Sequence, residues 1–371
     1  MMSARFLTVV LERAFNMRDG FGREIDYMRI SVIDSCNLNC YYCNPCDNNE
    51  HCHALNILSV KEVLCIVRAA TRLGIKHFRL TGGEPLLHPQ LDEMVLQIKK
   101  IPGVSSVSLT TNAVLLAQHA KWLKEAGIDS INVSLDTIDA SEYERITKKP
   151  LLEEVKHGIN AAIECGIRVK INVVLTPQTD VVALTRYVAK KGTDIRFIEM
   201  MPVGEGHTNG VEPYKKVIGT LLKLYGEPCR INTEKTKEIN SGNDKRKIPD
   251  NGPAEYYIFP ELGIRVGLIQ AIHGKFCDTC NRIRVTADGR LMPCLGSSVT
   301  MDLVPDSWDF ADDVEKDFAI VRALRAAIKA KPRCHNFNDN AVTYTKTTET
   351  KTTEIEAAEV NAARNMSRIG G

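Results

Sequence analysis

Met28-Arg29-Ile30-Ser31-Val32-Ile33 alternates large apolar residues with Arg29 and Ser31, and two residues later the chain reads Cys36-Asn37-Leu38-Asn39-Cys40-Tyr41-Tyr42-Cys43. The alternation predicts a strand. Its exit carries three thiols at x3 and x2 spacing. Outward from this stretch, short β-branched runs recur at 76–81, 104–110, 129–135, 168–175 and 194–200. A helical pattern follows each of the first five runs. Ser59 and Glu62 have capping-box spacing, and Val60, Val63, Leu64, Val67 and Leu73 recur on one face behind them. Leu151, Leu152, Val155, Ile159, Ala162 and Ile163 repeat that pattern further on. Runs such as 131–135 and 169–175 are mostly apolar, as parallel strands covered by helices are. The expected fold is therefore α/β, a partial (β/α)6 TIM-type barrel. In such barrels the chemistry lies at the C-terminal strand ends, where Cys36, Cys40 and Cys43 fall.

After Met201 the rhythm breaks into a Gly/Pro-rich turn, a helix near 212–225 and a polar stretch over 232–252 that contains Lys245-Arg246-Lys247. Short strands and turns over 256–295 surround a second cysteine group, Cys277, Cys280 and Cys294, and an amphipathic helix covers 315–330. Residues 339–363 are rich in Thr, Glu and Lys and too poor in large apolar side chains to order themselves. The expected organisation is an N-terminal segment 1–27, a barrel 28–205, a cluster-bearing C-terminal region 206–335, and a flexible tail 336–371 that ends in Gly370-Gly371.

Composition excludes several classes. The chain has 371 residues, 44% hydrophobic and 25% charged, an ordinary folded balance. Forty-eight Lys+Arg against 46 Asp+Glu give +2, so no global field recruits nucleic acid or an anionic membrane. Apolar runs are far shorter than a bilayer span. The run 6–11 is cut short by Glu12 and Arg13, which argues against a secretory leader, and Glu12 and Asp19 argue against a transit peptide. Twelve cysteines, six of them in two tight groups, indicate metal or cluster ligation in a reducing compartment, so a cytoplasmic location is expected ahead of a mitochondrial matrix. Cys65, Cys165 and Cys229 read as small buried hydrophobes.

Three thiolates can hold three irons of a [4Fe–4S] cluster and leave the fourth open. A zinc site completed by His51 or His53, or a ferredoxin-like run using Cys46, competes with that reading for the first group. For the second group the competitor is zinc with His273 or His335. The next strand exit, Thr81-Gly82-Gly83-Glu84-Pro85, combines glycines that admit close backbone approach with a carboxylate able to hold an ammonium group. Arg29, Arg79, Lys170, Arg282 and Arg284 lie at strand ends or beside the second cysteines, and charge-assisted bonds of roughly 1.5–3 kcal/mol each suit an anionic substrate. Alternation points Arg282 and Arg284 the same way. No phosphate-binding G-x4-G-K-[ST] loop occurs.

Cys36-x3-Cys40-x2-Cys43 with Tyr42, together with Gly-Gly-Glu-Pro, resembles the radical S-adenosylmethionine (SAM) superfamily. The stretch 276–295, with Phe21-Gly22-Arg23, Asn132-Val133-Ser134-Leu135-Asp136, Met201-Pro202-Val203-Gly204 and the final Gly370-Gly371, resembles its GTP 3′,8-cyclase branch. That resemblance implies two [4Fe–4S] clusters on Cys36, Cys40, Cys43 and on Cys277, Cys280, Cys294. It implies SAM at Tyr42, Gly83, Glu84, Ser134 and Met201, and GTP at Arg29, Arg79, Thr110, Lys170 and Arg282-Ile283-Arg284. It also implies catalytic roles for Arg282 and Arg284, with Gly370 and Gly371 entering the site. A 5′-deoxyadenosyl radical would abstract the ribose C3′ hydrogen, and C3′ would join guanine C8, the first step of molybdenum cofactor synthesis. An external low-potential electron donor, a downstream pterin-forming enzyme and a homodimer complete the implied partners. A peptide-modifying radical SAM enzyme, or a two-cluster electron carrier without substrate, stands as the alternative. The chain departs from the branch at Ala113, where glycine is usual, and at Ser35, where arginine is usual.

Overall fold

The computed structural model describes residues 17–43, 56–202, 213–231, 252–297, 299–303, 313–335 and 337. Six parallel strands, β1 (Tyr27–Ser31), β2 (His77–Thr81), β3 (Ser106–Thr111), β4 (Ser130–Ser134), β5 (Val169–Val174) and β6 (Asp194–Ile198), pair in chain order. The helices between them are α1 (Val60–Arg72), α2 (Leu91–Lys99), α3 (Leu116–Glu125), α4 (Ala140–Thr147), α5 (Leu152–Glu164) and α6 (Val181–Lys190). Helix α1 starts where its capping box predicts: the Ser59 hydroxyl accepts from the Glu62 amide and the Glu62 carboxylate accepts from the Ser59 amide. Met28, Ile30, Phe78, Leu80, Val107, Leu109, Ile131 and Val133 are fully buried on the helix side of the sheet. Their neighbours one residue along, such as Tyr27, Arg29 and Arg79, therefore point to the inner face.

The second half of the chain continues the same sheet. It contributes α7 (Pro213–Tyr225), β7 (Cys229–Ile231), β8 (Glu255–Phe259), β9 (Ile264–Ile269), β10 (Arg282–Val285), β11 (Arg290–Met292), β12 (Met301–Asp302) and α8 (Asp313–Lys329). Strand β9 pairs parallel with β6, and β10 pairs parallel with β1. Eight parallel strands result, in the order β10-β1-β2-β3-β4-β5-β6-β9, with antiparallel β11 and β12 beyond one edge and β8 and β7 beyond the other. Strands β9 and β10 do not pair, so the sheet is open. Short local strands over 256–295 were expected around the second cysteines. Their pairing with strands more than 70 residues away is the difference, and local pattern carries no record of such partners. Among the described residues no helix is long and apolar enough to cross a membrane.

Candidate active site at the two ends of the strands

Cys36, Cys40 and Cys43 follow the C-terminal end of β1. Two residues after β2, the Gly83 amide donates to the Ile33 carbonyl at 2.7 Å, and the Glu84 amide donates to the Ser35 carbonyl at 2.7 Å. A Cβ on Gly83 would lie 2.1 Å from the Ser35 oxygen, and one on Gly82 would lie 2.2 Å from the Ile33 oxygen. The glycines thus let the second strand exit press against the segment that delivers Cys36. Gly83→Ala is expected to cost about 1–3 kcal/mol through overpacking and to lower iron uptake at the first group. Denaturant titration and iron analysis measure both, and wild-type values in each would remove Gly83 from this role.

Glu84, expected as an ammonium acceptor, also ties the protein together. It is 1% exposed, and its carboxylate accepts from Thr111 Oγ1 at 2.7 Å, the Asn112 amide at 2.7 Å and the Leu86 amide at 3.0 Å. It ties the exits of β2 and β3 together. Burial pushes its carboxyl up to about 7 against those three bonds. Asn112, which Glu84 anchors, donates to Asn37 Oδ1 at 2.7 Å and reaches Cys36 Sγ at 3.8 Å. Ala113 beside it has φ +65°, a left-handed conformation that favours the glycine usual there. Tyr42 Oη donates to Asp136 Oδ2 at 2.5 Å, and Asp136 Oδ1 accepts the Val174 amide at 2.8 Å. Asp136 was legible only as part of a motif. The structure makes it the partner that orients Tyr42.

The donor chemistry fits an iron–sulfur cluster. Burial, then Glu84, pushes the Cys36 thiol up to about 11, and burial, then Cys36 and Asp136, pushes Cys43 up to about 12. Three thiolates here need a cationic centre to share. One tetrahedral zinc would need its sulfurs about 3.8 Å apart, given Zn–S of about 2.3 Å. Among the described residues no group of three His, Cys, Asp or Glu is gathered about a single-ion site. His51, His53, Cys46 and Cys52 lie outside the described residues.

Cys277 and Cys280 precede β10, which runs parallel to β1, so the second group sits at the opposite, N-terminal end of the strands. Cys294 follows antiparallel β11 back to the same end. Neither histidine considered as a zinc ligand turns to these thiols: the His273 ring bonds Glu199, and His335 Nε2 bonds the Ala271 carbonyl at 2.7 Å. Cys334, which pattern reading did not single out, is exposed and acts on the Cys277 thiol. Cys65 is buried as expected, but Cys165 is half-buried and Cys229 is exposed at the sheet edge.

Between the two ends lies a cavity of about 630 Å³. Strand register places Arg79, Arg29 and Arg284 side by side across β2, β1 and β10 on its wall. Burial, then Arg284, lowers Arg29 well below the ordinary guanidinium value, and burial, then Arg282, pushes Arg284 down to about 10. Tyr27 accepts a hydrogen bond from Arg79 Nε, and Arg79 Nη1 reaches Thr110 Oγ1 at 3.4 Å. Thr110, Lys170, Ser134 and Met201 all line this cavity. Ser134 is exposed to it instead of facing a helix, while Met201 also packs on Ile272, Met292 and Phe337. Ile283 departs from expectation: it is 1% exposed on the core side of β10, so its side chain faces away from the cavity. Arg196 on β6 was overlooked. It lines the cavity, donates to Asn172 Oδ1 at 2.9 Å and has one buried amino group with no hydrogen-bond partner among the described residues. Its signal was its place on a strand run already identified. Gly370 and Gly371 lie outside the described residues.

Residues 30–183 match the Radical SAM superfamily, and residues 193–337 match Molybdenum Cofactor Synthesis C. The GTP 3′,8-cyclase of Clostridium perfringens (strain SM101 / Type A) is 35% identical over 324 residues, 86% of this chain and 95% of that protein. The chain belongs to the GTP 3′,8-cyclase family. The Listeria monocytogenes (serovar 1/2a) GTP 3′,8-cyclase is 36% identical over 86% of this chain and 92% of its own length. The crystal structure of Streptococcus suis SuiB bound to S-adenosylmethionine is similar in fold, with TM-score 0.53 at 14% identity over 81% of this chain and 68% of that one. As a GTP 3′,8-cyclase family member the chain is a radical SAM enzyme, and its cofactors are two [4Fe–4S] clusters and SAM.

Proposed function

We infer that this chain converts GTP to 3′,8-cyclo-7,8-dihydro-GTP inside the cavity, with the triphosphate on the arginine row. The observation that carries this reading is the register of Arg79, Arg29 and Arg284 on one wall between two cysteine groups at opposite strand ends. Mutually repelling buried cations gain most from an anion set between them. When bound, a cluster and SAM at Cys36, Cys40 and Cys43 supply the 5′-deoxyadenosyl radical. Tyr42, held by Asp136, together with Ser134 and Gly83, would orient SAM. Lys170, Thr110 and Arg196 add donors for the nucleotide from other strands of the cavity wall, and Cys277, Cys280 and Cys294 would hold the second cluster, which binds the guanine. Arg282 and Arg284, on the strand that follows Cys277 and Cys280, would hold the substrate through the electron and proton transfer that closes the reaction. An external one-electron donor, a downstream pterin-forming enzyme, pairing of two copies and a cytoplasmic setting belong to the same proposal.

The test is anaerobic reconstitution with SAM and GTP, followed by product analysis. Formation of the cyclised nucleotide supports the reading, and SAM cleavage without it overturns the assignment of substrate. Arg284→Ala is expected to lower kcat/KM about 10–100-fold, the loss of one charge-assisted contact of roughly 1.5–3 kcal/mol. Lysine at that position restores only part, because a point charge cannot reproduce a planar fork. Wild-type kinetics in Arg284→Ala would place the triphosphate elsewhere.

A further inference from the structure

The two cysteine groups lie in opposite electrostatic surroundings. Around the first, Glu84 and Asp136 add negative potential to the thiols. Around the second, the cation Lys331 bonds to the backbone beside Cys280 and Cys294. Lys331 is 3% exposed, two residues beyond α8, and its ammonium donates to the Arg282 carbonyl at 2.8 Å and to the Pro293 carbonyl at 2.8 Å. Those carbonyls belong to the residue two beyond Cys280 and the residue just before Cys294. Lys331 lines the same cavity as Cys277, Cys280 and Cys294.

A buried ammonium is costly unless an anion accompanies it. Among the described residues no carboxylate forms an ion pair with Lys331. Two neutral carbonyls satisfy two of its three donors. We propose that Lys331 is a positioning residue that gathers the second cysteine group and raises the reduction potential of the cluster held there. Three thiolates on a four-iron cube with four sulfides leave a net negative charge, which grows by one when the cluster takes up an electron. A fixed cation bonded to the carbonyls beside two of those cysteines favours the more negative, reduced state, and local charge is an established lever on cluster potential. The event biased is a one-electron reduction: the cluster gains an electron from the external donor, which is oxidised, and no proton moves.

This inference rests on the reading that Cys277, Cys280 and Cys294 hold a cluster, and the test separates the two. Full-length wild-type protein, Lys331→Met, Lys331→Arg and, as a control, the exposed Lys329→Met are reconstituted anaerobically. Iron is counted, and each cluster is titrated by electron paramagnetic resonance against redox mediators without GTP. GTP is added afterwards to mark which signal belongs to the second cluster. Wild-type iron near four per chain would refute the cluster reading itself. With near eight, Lys331→Met is expected to lower the reduced-to-oxidised ratio of the second cluster about tenfold at fixed potential, 59 mV for one electron. The first cluster should not move, and Lys331→Arg should restore most of the shift. An unchanged second midpoint in Lys331→Met, or equal shifts in both clusters, overturns the proposal. If Lys331→Met loses the second cluster's iron, retention of iron and potential in Lys331→Arg supports the role of the charge, and loss in both variants overturns it.

Discussion

Cys36→Ala is expected to abolish reductive cleavage of SAM, whereas Cys277→Ala is expected to keep SAM cleavage and lose cyclisation. The two cysteine groups occupy opposite ends of the same parallel strands, so damage at one end leaves the geometry of the other intact. Cys36 carries the only thiol of the first group that Asn112 reaches, and its loop is sutured to the β2 exit through Gly83 and Glu84. With that thiol gone, two remaining ligands cannot hold an iron open toward SAM. Cys277 sits instead at the cavity end where the nucleotide base is proposed to bind. The measurement is 5′-deoxyadenosine and cyclised nucleotide in the same assay. A fall of at least a hundredfold in deoxyadenosine, about 2.7 kcal/mol or more in barrier, is expected only for Cys36→Ala. Equal loss of deoxyadenosine in both variants would contradict the division of labour between the groups.

Arg23→Ala is expected to destabilise the fold by about 3–5 kcal/mol, the cost of breaking a buried ion pair by removing one partner. Arg23 is 8% exposed and pairs through Nε with Asp19, whose side chain is fully buried. Its Nη1 donates to the Cys277 carbonyl at 2.7 Å and to the Arg333 carbonyl at 2.9 Å, and Nη2 donates to the Pro332 carbonyl at 2.6 Å. One side chain near the start of the described chain thus joins the second cysteine loop to the segment after α8. Alanine strands a buried carboxylate and three carbonyls, each needing a donor. Lysine cannot serve all of these directions from a single ammonium. Urea titration of Arg23→Ala and Arg23→Lys checks this, and a loss below about 1 kcal/mol in the alanine variant would mean that water or neighbouring donors replace the guanidinium.

Six strands, their helices and the α1 capping box were legible because each is a local pattern: period two on one side, period 3.6 on the other, and a serine three residues before a glutamate. Both cysteine groups were legible because ligand spacing is also local. The structural part of Glu84 was not legible for a physical reason. Sequence shows a carboxylate at a glycine-rich turn, but only the fold brings Thr111 Oγ1 and the Asn112 amide to it and makes it a tie between two strand exits. The Ile283 side chain faces the core because its neighbours Arg282 and Arg284 face the cavity, and strand alternation commits the residue between them to the other side. Asp136, Arg196, Cys334, Arg23 and Lys331 carry no motif of their own. Apart from Asp19, which pairs with Arg23 from four positions away, their hydrogen-bond partners lie 24 to 310 positions away, and Cys334 acts on Cys277 from the far side of the second cysteine segment.

By itself, the sequence determined the α/β class, the repeating strand–helix units, the two thiol triads and the cationic strand positions, all set by periodicity and spacing along a few neighbouring residues. Tertiary structure decided that β9 and β10 extend the parallel sheet at its two edges and that the second triad lies at the N-terminal ends of the strands. It also decided that Arg79, Arg29 and Arg284 form one row. The reason is that strand pairing is chosen by backbone hydrogen bonds between segments far apart in the chain. A shift of a single residue in that pairing would turn every side chain to the opposite face, and no local pattern records which distant edge a strand will join.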